Sequence, residues 1–167
     1  MISHAEEKDI DGLNRLLEQV LMVHYEGRPD LWRANAKKYD DSQLKEILRD
    51  KSRPIFVCVD ESDFVQGYAF CVVEDFTNDN VRAPKKSLYI DDLCVDENLR
   101  GKHIGTSLYN YVLDFAKSNG FYNVTLNVWE SNKSARAFYD AMGLVPLKPP
   151  FPICRASALV GRSKKTL

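Results

Sequence analysis

Residues 87–129 carry the pattern that most limits how this chain can fold. SLYIDDLCV (87–95) is a strand-like apolar run, and LRGKHIGT (99–106) follows it as a short basic loop. YNVTLNVW (122–129) is a second strand-like run. Between them, apolar residues repeat at helical spacing, at Leu108, Val112, Leu113, Phe115 and Ala116. This order predicts a β-α-β unit at the centre of a mixed α/β sheet.

The rest of the chain alternates in the same way, with no repeat, low-complexity block or linker rich in Pro, Gly or Ser. The further predicted elements are a strand at 2–5, a helix from Asp9 that breaks at 24–33, a helix behind Asp41 and Ser42, strands at 54–59 and 63–76 joined by a tight turn, a loop at 77–86, a helix at 132–142, and weaker strands in LVPL and ICRASALV around a PPFP turn. A single domain over residues 1–167 suits this length.

Charge and composition argue against several classes of protein. The net charge of −1 at pH 7 predicts no general attraction to nucleic acid or to a membrane surface. The four cysteines form no CxxC pair, and three lie in apolar runs, so we expect neither a metal site nor disulfides. No signal peptide and no membrane-spanning run are visible, so we expect a cytoplasmic location.

The loop LRGKHIGT has the features of a phosphate site. A strand, a basic loop and a helix start bring free backbone N–H groups and the positive end of a helix dipole to one point. Gly101 and Gly105 allow the backbone to approach a ligand, and Arg100, Lys102 and His103 add donors or positive charge. A solvated loop that only turns the chain is the alternative. The Walker pattern and the GxGxxG fingerprint are both absent.

The wider context carries a family resemblance. The loop is followed at a distance by NxxAxxFYxxxGL, from Asn132 to Leu144. Together these motifs resemble the GNAT superfamily of acetyl-CoA-dependent N-acetyltransferases, strongly over 87–145 and more loosely over 2–76. The resemblance implies a mixed sheet of six or seven strands that diverges between the fourth and fifth, with about four flanking helices. His103 departs from the family, which usually has glycine there, although histidine tolerates left-handed backbone.

In that family the pantetheine arm enters between the two diverging strands, which correspond to 87–95 and 122–128. Backbone groups of the first strand would bind the pantetheine arm, and the loop amides would bind the pyrophosphate. The backbone amide of Cys94 or Val95 would stabilise the oxyanion. The residues that the resemblance assigns to acetyl-CoA are Leu93, Cys94, Val95, Arg100, Gly101, Lys102, His103, Ile104, Gly105, Thr106, Asn132 and Ala135.

Acetyl transfer needs a neutral amine, so a base must remove a proton from the ammonium. YIDDLCV is similar to a YxEDxxV stretch in the spermidine/spermine and diamine acetyltransferases, where the first acid is the proposed base. This assigns the base to Asp91, acting through a water. Neighbours on a strand point to opposite faces, so Asp91 and Asp92 are not expected to act together. The alternative is that both are solvated edge residues.

The departing thiolate needs a proton, and the resemblance assigns this role to Tyr139, with Phe138 as a packing residue. A buried Phe-Tyr pair that only packs is the alternative. For the acceptor, the segment HYEGRPDLW offers His24, Tyr25, Glu26 and Trp32. Of these, Tyr25, Glu26 and Trp32 would bind a cationic amine together with Asp92. Simple packing under the loop is the alternative for each aromatic ring. Asp75, Asp79 and Glu130 would add negative potential where they border the acceptor cleft.

Two functions follow. The first is an N-acetyltransferase that acts by direct attack in a ternary complex on a primary amine, such as a polyamine, an aminoglycoside, an amino acid or a protein N-terminus. An acyl-carrying role for Cys94 is a weaker variant, because no His/Asp pair visibly activates it. The second is a non-catalytic acyl-CoA-binding sensor or interaction module, which His103 and the atypical tail favour. The resemblance also leaves a homodimer possible.

Overall fold

The computed structural model describes residues 1–130, 132–147 and, as backbone, 153–159. Its strands are β1 (Ile2–His4), β2 (Ile55–Val59), β3 (Val65–Asp75), β4 (Lys86–Val95), β5 (Asn123–Trp129), β6 (Val145–Pro146) and β7 (Ile153–Leu159). The α-helices are α1 (Ile10–Gly27), α2 (Asp41–Arg49), α3 (Ile104–Ser118) and α4 (Lys133–Ala141), with 3₁₀ helices at Glu7–Asp9 and Glu97–Leu99. The strand order is β1-β2-β3-β4-β5-β7-β6.

The chain divides into two compact units. The first contains Met1–Cys71 and Asp92–Asn110, and the second contains Val72–Asp91 and Tyr111–Leu167.

In the first unit, β1, β2 and β3 form an antiparallel meander. Ile2 lies opposite Cys58, and Ile55 lies opposite Phe70. Asp60 closes the turn after β2, because its carboxylate accepts the backbone N–H groups of residues 62 and 64. The apolar stripes of α1 and α2 pack on these strands. This core consists of Ile10, Leu13, Leu16, Leu17, Leu44, Ile47, Ile55, Val57, Val59, Val65, Tyr68, Phe70 and Cys94. Each such buried side chain contributes about 1.5–3 kcal/mol.

In the second unit, β4 and β5 pair in parallel from Ser87 opposite Asn123 to Ile90 opposite Leu126. The antiparallel strand β7 pairs with β5, and the short β6 pairs with β7. The paired stretches of β4 and β5 are rich in Leu, Ile and Val, as the buried parallel strands of α/β proteins require. The predicted β-α-β unit is therefore confirmed.

The predicted elements agree with the structure, and two details differ. Helix α1 continues through the predicted break to Gly27 and ends because Arg28 leaves helical backbone immediately before Pro29. The N-cap of α2 is Asp40, whose carboxylate accepts the N–H of Gln43 while the Gln43 side chain bonds back. The predicted PPFP turn, 149–152, lies outside the described residues. That the chain is a single domain stays a prediction.

None of the helices in the described part of the chain combines the length and the apolar character that crossing a membrane requires.

Candidate active site

The first unit builds the loop that was predicted to bind phosphate. β4 ends at Val95, and a 3₁₀ helix leads to Arg100, Gly101, Lys102 and His103 before α3 begins. Gly101 has φ of 79° and His103 has φ of 61°, so both adopt the left-handed region. The α-helical hydrogen bonds of α3 start with the N–H of Ser107, which donates to the carbonyl oxygen of His103. The amides of residues 104–106 thus form the open end of the helix.

Asp96 fixes the start of this loop. It is 4% exposed, and its backbone N–H donates to the carbonyl of Gln66 at 2.9 Å. Its carboxylate accepts the N–H of Asn98 at 3.0 Å and pairs with the guanidinium of Arg15. Burial alone would raise the pKa of this carboxyl, but these partners hold the pKa of Asp96 below its usual value. The ionised side chain therefore ties the loop to α1.

Gly67 allows β3 to come close to the end of β4. A Cβ on Gly67 would lie 2.8 Å from the carbonyl oxygen of Cys94 and 3.0 Å from Leu108. Any larger residue would push β4 and α3 away. The position of the Cys94 backbone, which was assigned to the pantetheine arm, depends on this contact.

The thiol of Cys94 is unsuited to carry an acyl group. It is 5% exposed, and its Sγ lies 3.8 Å from the carbonyl oxygen of Leu16. Burial, followed by the charge of Asp92, raises the pKa of Cys94 to about 12. The thiol stays protonated near neutral pH, which argues against the nucleophile variant.

The two neighbouring aspartates of β4 have different surroundings. Asp91 is exposed and belongs to the second unit, whereas the Asp92 side chain is 11% exposed and belongs to the first. The Tyr68 hydroxyl donates to Asp92 Oδ2 at 3.1 Å, and Lys38 Nζ lies 3.5 Å from the same oxygen. The two side chains therefore differ in exposure, and the Asp92 carboxylate is the more buried of the two.

The acceptor residues predicted in the first unit lie at the end of α1 and just beyond it. Trp32 stacks on the imidazole of His24, with ring centroids 4.9 Å apart and planes 19° apart. Tyr25 is half-buried and Glu26 is exposed. Burial lowers the pKa of His24, and the charge of Asp92 opposes this effect.

In the second unit, the parallel pairing of β4 with β5 ends at Ile90 and Leu126, before either strand ends. Asn132 is the N-cap of α4, and its Oδ1 accepts the N–H of Ala135 at 3.1 Å. Asn132 and Ala135, which the resemblance assigns to acetyl-CoA, thus also stabilise the start of α4. Tyr139 on the same helix is 9% exposed.

Tyr139 packs edge-on against Phe138, with centroids 5.1 Å apart, and its carbonyl accepts the N–H of Leu144 at 3.1 Å. Of the additional acids, Asp75 accepts the N–H of Thr77 at 2.9 Å and pairs with Lys86 at 3.0 Å. Hydrogen bonds from Thr77 and then Lys86 lower the pKa of Asp75 to about 2. Asp79 similarly closes the turn at 81–82, and Glu130 pairs with Arg136. These acids serve local structure.

Sequence reasoning missed Arg15, Lys38 and Tyr68, because each meets its partner across 24 to 81 residues of chain. No local pattern marks such pairs. Gly67 did leave a signal, since an isolated glycine inside an apolar strand is typical of a close backbone approach. Within the described ranges, no three His, Cys, Asp or Glu side chains group together as a metal site would need.

The chain is similar in sequence to known acetyltransferases. The profile of the acetyltransferase (GNAT) family matches residues 18–144, more than half of the chain. Glucosamine 6-phosphate N-acetyltransferase of Arabidopsis thaliana is 31% identical over 90 residues, 46% of this chain and 58% of that protein. An uncharacterized N-acetyltransferase of Methanocaldococcus jannaschii is 31% identical over 107 residues, 64% of this chain and 46% of that protein. The chain spans about half the length of these curated relatives.

Among solved structures, a crystal structure of a mutant BH1408 protein from Bacillus halodurans has a TM-score of 0.84 and 27% identity, covering 90% of this chain and 96% of that chain. The family match and the shared fold confirm the resemblance drawn from the sequence. The chain belongs to the GNAT family of acetyltransferases.

Proposed function

We propose that this protein transfers the acetyl group of acetyl-CoA to a primary amine, by direct attack within a ternary complex. The observation that carries the proposal is the turn through left-handed Gly101 and His103 into α3, in a chain of the GNAT family. The acceptor is a small molecule or the amine of a peptide, and no nucleic acid, membrane or metal takes part.

The loop has the chemistry that a pyrophosphate requires. Arg100, Lys102 and His103 are exposed, and the open amides of residues 104–106 follow them. Basic side chains and a helix N-terminus together favour a bound dianion. We therefore assign the pyrophosphate to residues 100–106. Leu93, Cys94 and Val95 would bind the pantetheine amides through their backbone, with Asn132 and Ala135 on the cofactor's other side.

Acetyl-CoA, when bound, supplies an activated thioester carbonyl. We assign stabilisation of the oxyanion to the backbone N–H of Cys94 or Val95, because a preorganised main-chain donor moves little during the reaction. Asp91 would receive a proton from the attacking nitrogen, directly or through water. Tyr139 would donate a proton to the departing sulfur, and its hydroxyl would recover that proton through solvent.

The acceptor side is acidic and aromatic. Glu26 and Asp92 favour a cation, and Tyr25 and Trp32 provide ring faces for cation–π contacts. Since one relative is named for acetylation of glucosamine 6-phosphate, an amino sugar belongs beside polyamines, aminoglycosides, amino acids and peptide N-termini in the set of acceptors to test.

The test is a screen of amines in the presence of acetyl-CoA. Spermidine, 1,5-diaminopentane, kanamycin, glucosamine 6-phosphate, glycine and a peptide with N-terminal alanine would be compared by release of free thiol, with the product confirmed by mass spectrometry. We expect release with at least one of them. Tyr139→Phe should slow release about 100-fold while CoA binding, measured by calorimetry, changes less than about threefold, which is under 1 kcal/mol.

Tyr122→Phe is the matched control, because Tyr122 is exposed and its ring lies under Lys85, a contact that phenylalanine keeps. This variant should behave as the wild type does. Binding of CoA without thiol release on any amine would instead support an acyl-CoA-binding sensor. No heat of binding with CoA at millimolar concentration would refute the cofactor assignment itself.

A further inference from the structure

Helix α1 holds the start of the loop to which we assign the pyrophosphate. Three of its residues, Gly12, Arg15 and Gln19, lie three and four positions apart and therefore share one face of the helix. A Cβ on Gly12 would lie 2.6 Å from the Cβ of Val65, so the helix backbone lies directly against the first residue of β3. This close packing sets the position from which Arg15 and Gln19 extend.

The Arg15 guanidinium connects α1 to the end of β4. It pairs with the Asp96 carboxylate and donates to the carbonyl oxygen of Val65. The Phe64 ring covers it, with the guanidinium carbon 4.4 Å from the ring centroid. Two directed hydrogen bonds and a stacked ring fix the plane of a guanidinium in a way that a lysine ammonium cannot reproduce. Asp96 therefore has a charged partner in a defined position.

The residues that follow Asp96 are held by the same helix. Gln19 Oε1 accepts the N–H of Glu97 at 3.1 Å, and Asp96 Oδ1 accepts the N–H of Asn98 at 3.0 Å. Asp96 is the N-cap of the 3₁₀ helix at Glu97–Leu99, which leads directly to Arg100. The first backbone amides of this 3₁₀ helix thus bond to a side chain of α1 and to a carboxylate that α1 orients.

The loop beyond this point has little packing of its own. Residues 100–103 are exposed, and the next buried residue is Ile104 at the start of α3. Between Asp96 and Ile104 the backbone passes through left-handed Gly101 and His103. An exposed segment of this kind is ordered mainly by the elements at its two ends, which here are the anchor on α1 and the first turn of α3.

We propose that Arg15 and Gln19 are positioning residues that hold residues 100–106 ready for the pyrophosphate of the cosubstrate. They act through Asp96 and through the amide of Glu97. The inference rests on the proposed function and extends it to a helix that contributes no residue to the set assigned to acetyl-CoA. A loop that is already held in its binding conformation loses less conformational entropy when the ligand binds. Loss of either contact should therefore weaken CoA binding and leave the chemical step unchanged.

Calorimetry with CoA measures the expected loss of affinity. Gln19→Met removes the acceptor of the Glu97 amide from a half-buried side chain, so the fold should persist and the Kd for CoA should rise about threefold to tenfold. Arg15→Met alone would leave the buried Asp96 carboxylate without its charged partner. The Arg15→Met/Asp96→Asn double variant avoids this, and its Kd should rise about tenfold or more. Arg15→Lys, which keeps the charge but not the second directed bond, should lie between the wild type and the double variant.

Arg53→Met is the matched control for general loss of stability. The Arg53 guanidinium also lies over a ring, 5.8 Å from the centroid of Tyr39, and it donates to the Tyr39 hydroxyl at 3.2 Å. Its replacement should lower the midpoint of urea unfolding, while the Kd for CoA stays within about twofold of the wild type. If Arg53→Met weakens CoA binding as much as the α1 variants do, the loss reflects stability alone and the proposal is wrong.

Steady-state kinetics with the amine that releases most thiol give an independent readout. In Gln19→Met and in the double variant, the KM for acetyl-CoA should rise, and kcat at saturating acetyl-CoA should stay within about twofold of the wild type. A fall in kcat at an unchanged KM would contradict a positioning role.

The outcomes separate the two proposals. If the wild type binds CoA, and Gln19→Met and the double variant bind it equally well, the positioning role is wrong and the acetyltransferase function stands. If the wild type binds CoA but releases thiol with none of the amines, the proposed function fails, and the Kd values still decide the positioning role. If the wild type gives no heat of binding with CoA, both fail.

Discussion

His103 shows what a single residue contributes to the loop that we propose binds the cofactor. The backbone at this position turns with φ of 61°, a region that costs most L-residues about 1–2 kcal/mol and that glycine enters freely. Histidine is among the side chains that tolerate it. This chain therefore turns in left-handed backbone without a glycine at this position, and it adds an exposed imidazole to the loop that we propose binds phosphate.

Replacing His103 tests conformation and side chain separately. His103→Gly should keep the fold and should bind CoA within about threefold of the wild type. His103→Val should lose about 1–2 kcal/mol of stability, because a β-branched residue is strained in left-handed backbone, and should bind CoA more weakly. Urea unfolding and calorimetry with CoA measure both effects.

Lys102→Val is the matched control, since Lys102 is exposed in the same loop and its φ is not positive. Its unfolding free energy should change by less than about 0.5 kcal/mol. Equal losses of stability in the valine variants at 102 and 103 would contradict the conformational argument.

At the scale of elements, the approach of β3 to β4 positions the strand end assigned to the thioester. Gly67 lies on β3, and the nearest atom to the Cβ it lacks is the carbonyl oxygen of Cys94. Backbone cannot move aside as a flexible side chain can. The strands would have to separate, and Ile104 and Leu108 of α3 lie against the same point.

Gly67→Ala should therefore destabilise the protein by about 1–3 kcal/mol, as overpacking of a close contact does. It should also weaken CoA binding, because the β4 backbone shifts. Gln66→Ala, one position earlier on the same strand, should do much less. The measurements are thermal unfolding and calorimetry, and a Gly67→Ala variant as stable as the wild type would show that β4 accommodates the methyl group.

At the scale of the whole molecule, binding of the cosubstrate should stabilise the entire chain. At 100 times its Kd, a ligand specific to the native state adds about 2.7 kcal/mol. For a chain of this size that predicts a rise in Tm of about 5–10 °C.

Differential scanning fluorimetry with acetyl-CoA checks this prediction. ADP offers the loop a diphosphate without the pantetheine arm, so it should produce a smaller shift at the same concentration. An unchanged Tm at millimolar acetyl-CoA, or an equal shift with ADP, would contradict the assignment of the arm to the β4 backbone.

Local sequence signals predict the order and type of the elements, because hydrophobic periodicity, helix caps and turn residues act within a few positions of each other. The β-α-β unit, the turn at Asp60 and the loop from Arg100 to α3 follow from such local signals. The sequence also points to the family, since two motifs at a set distance carry that resemblance.

Which charged side chains pair with each other depends on tertiary packing. Asp91 and Asp92 are neighbours in the sequence, and the structure places the Asp92 carboxylate against the Tyr68 hydroxyl and Lys38, partners that lie 24 and 54 residues away. Arg15 reaches Asp96 across 81 residues. The physical reason is that strand register and helix packing, which are settled by burial of the whole core, determine the distance between charges that are remote along the chain.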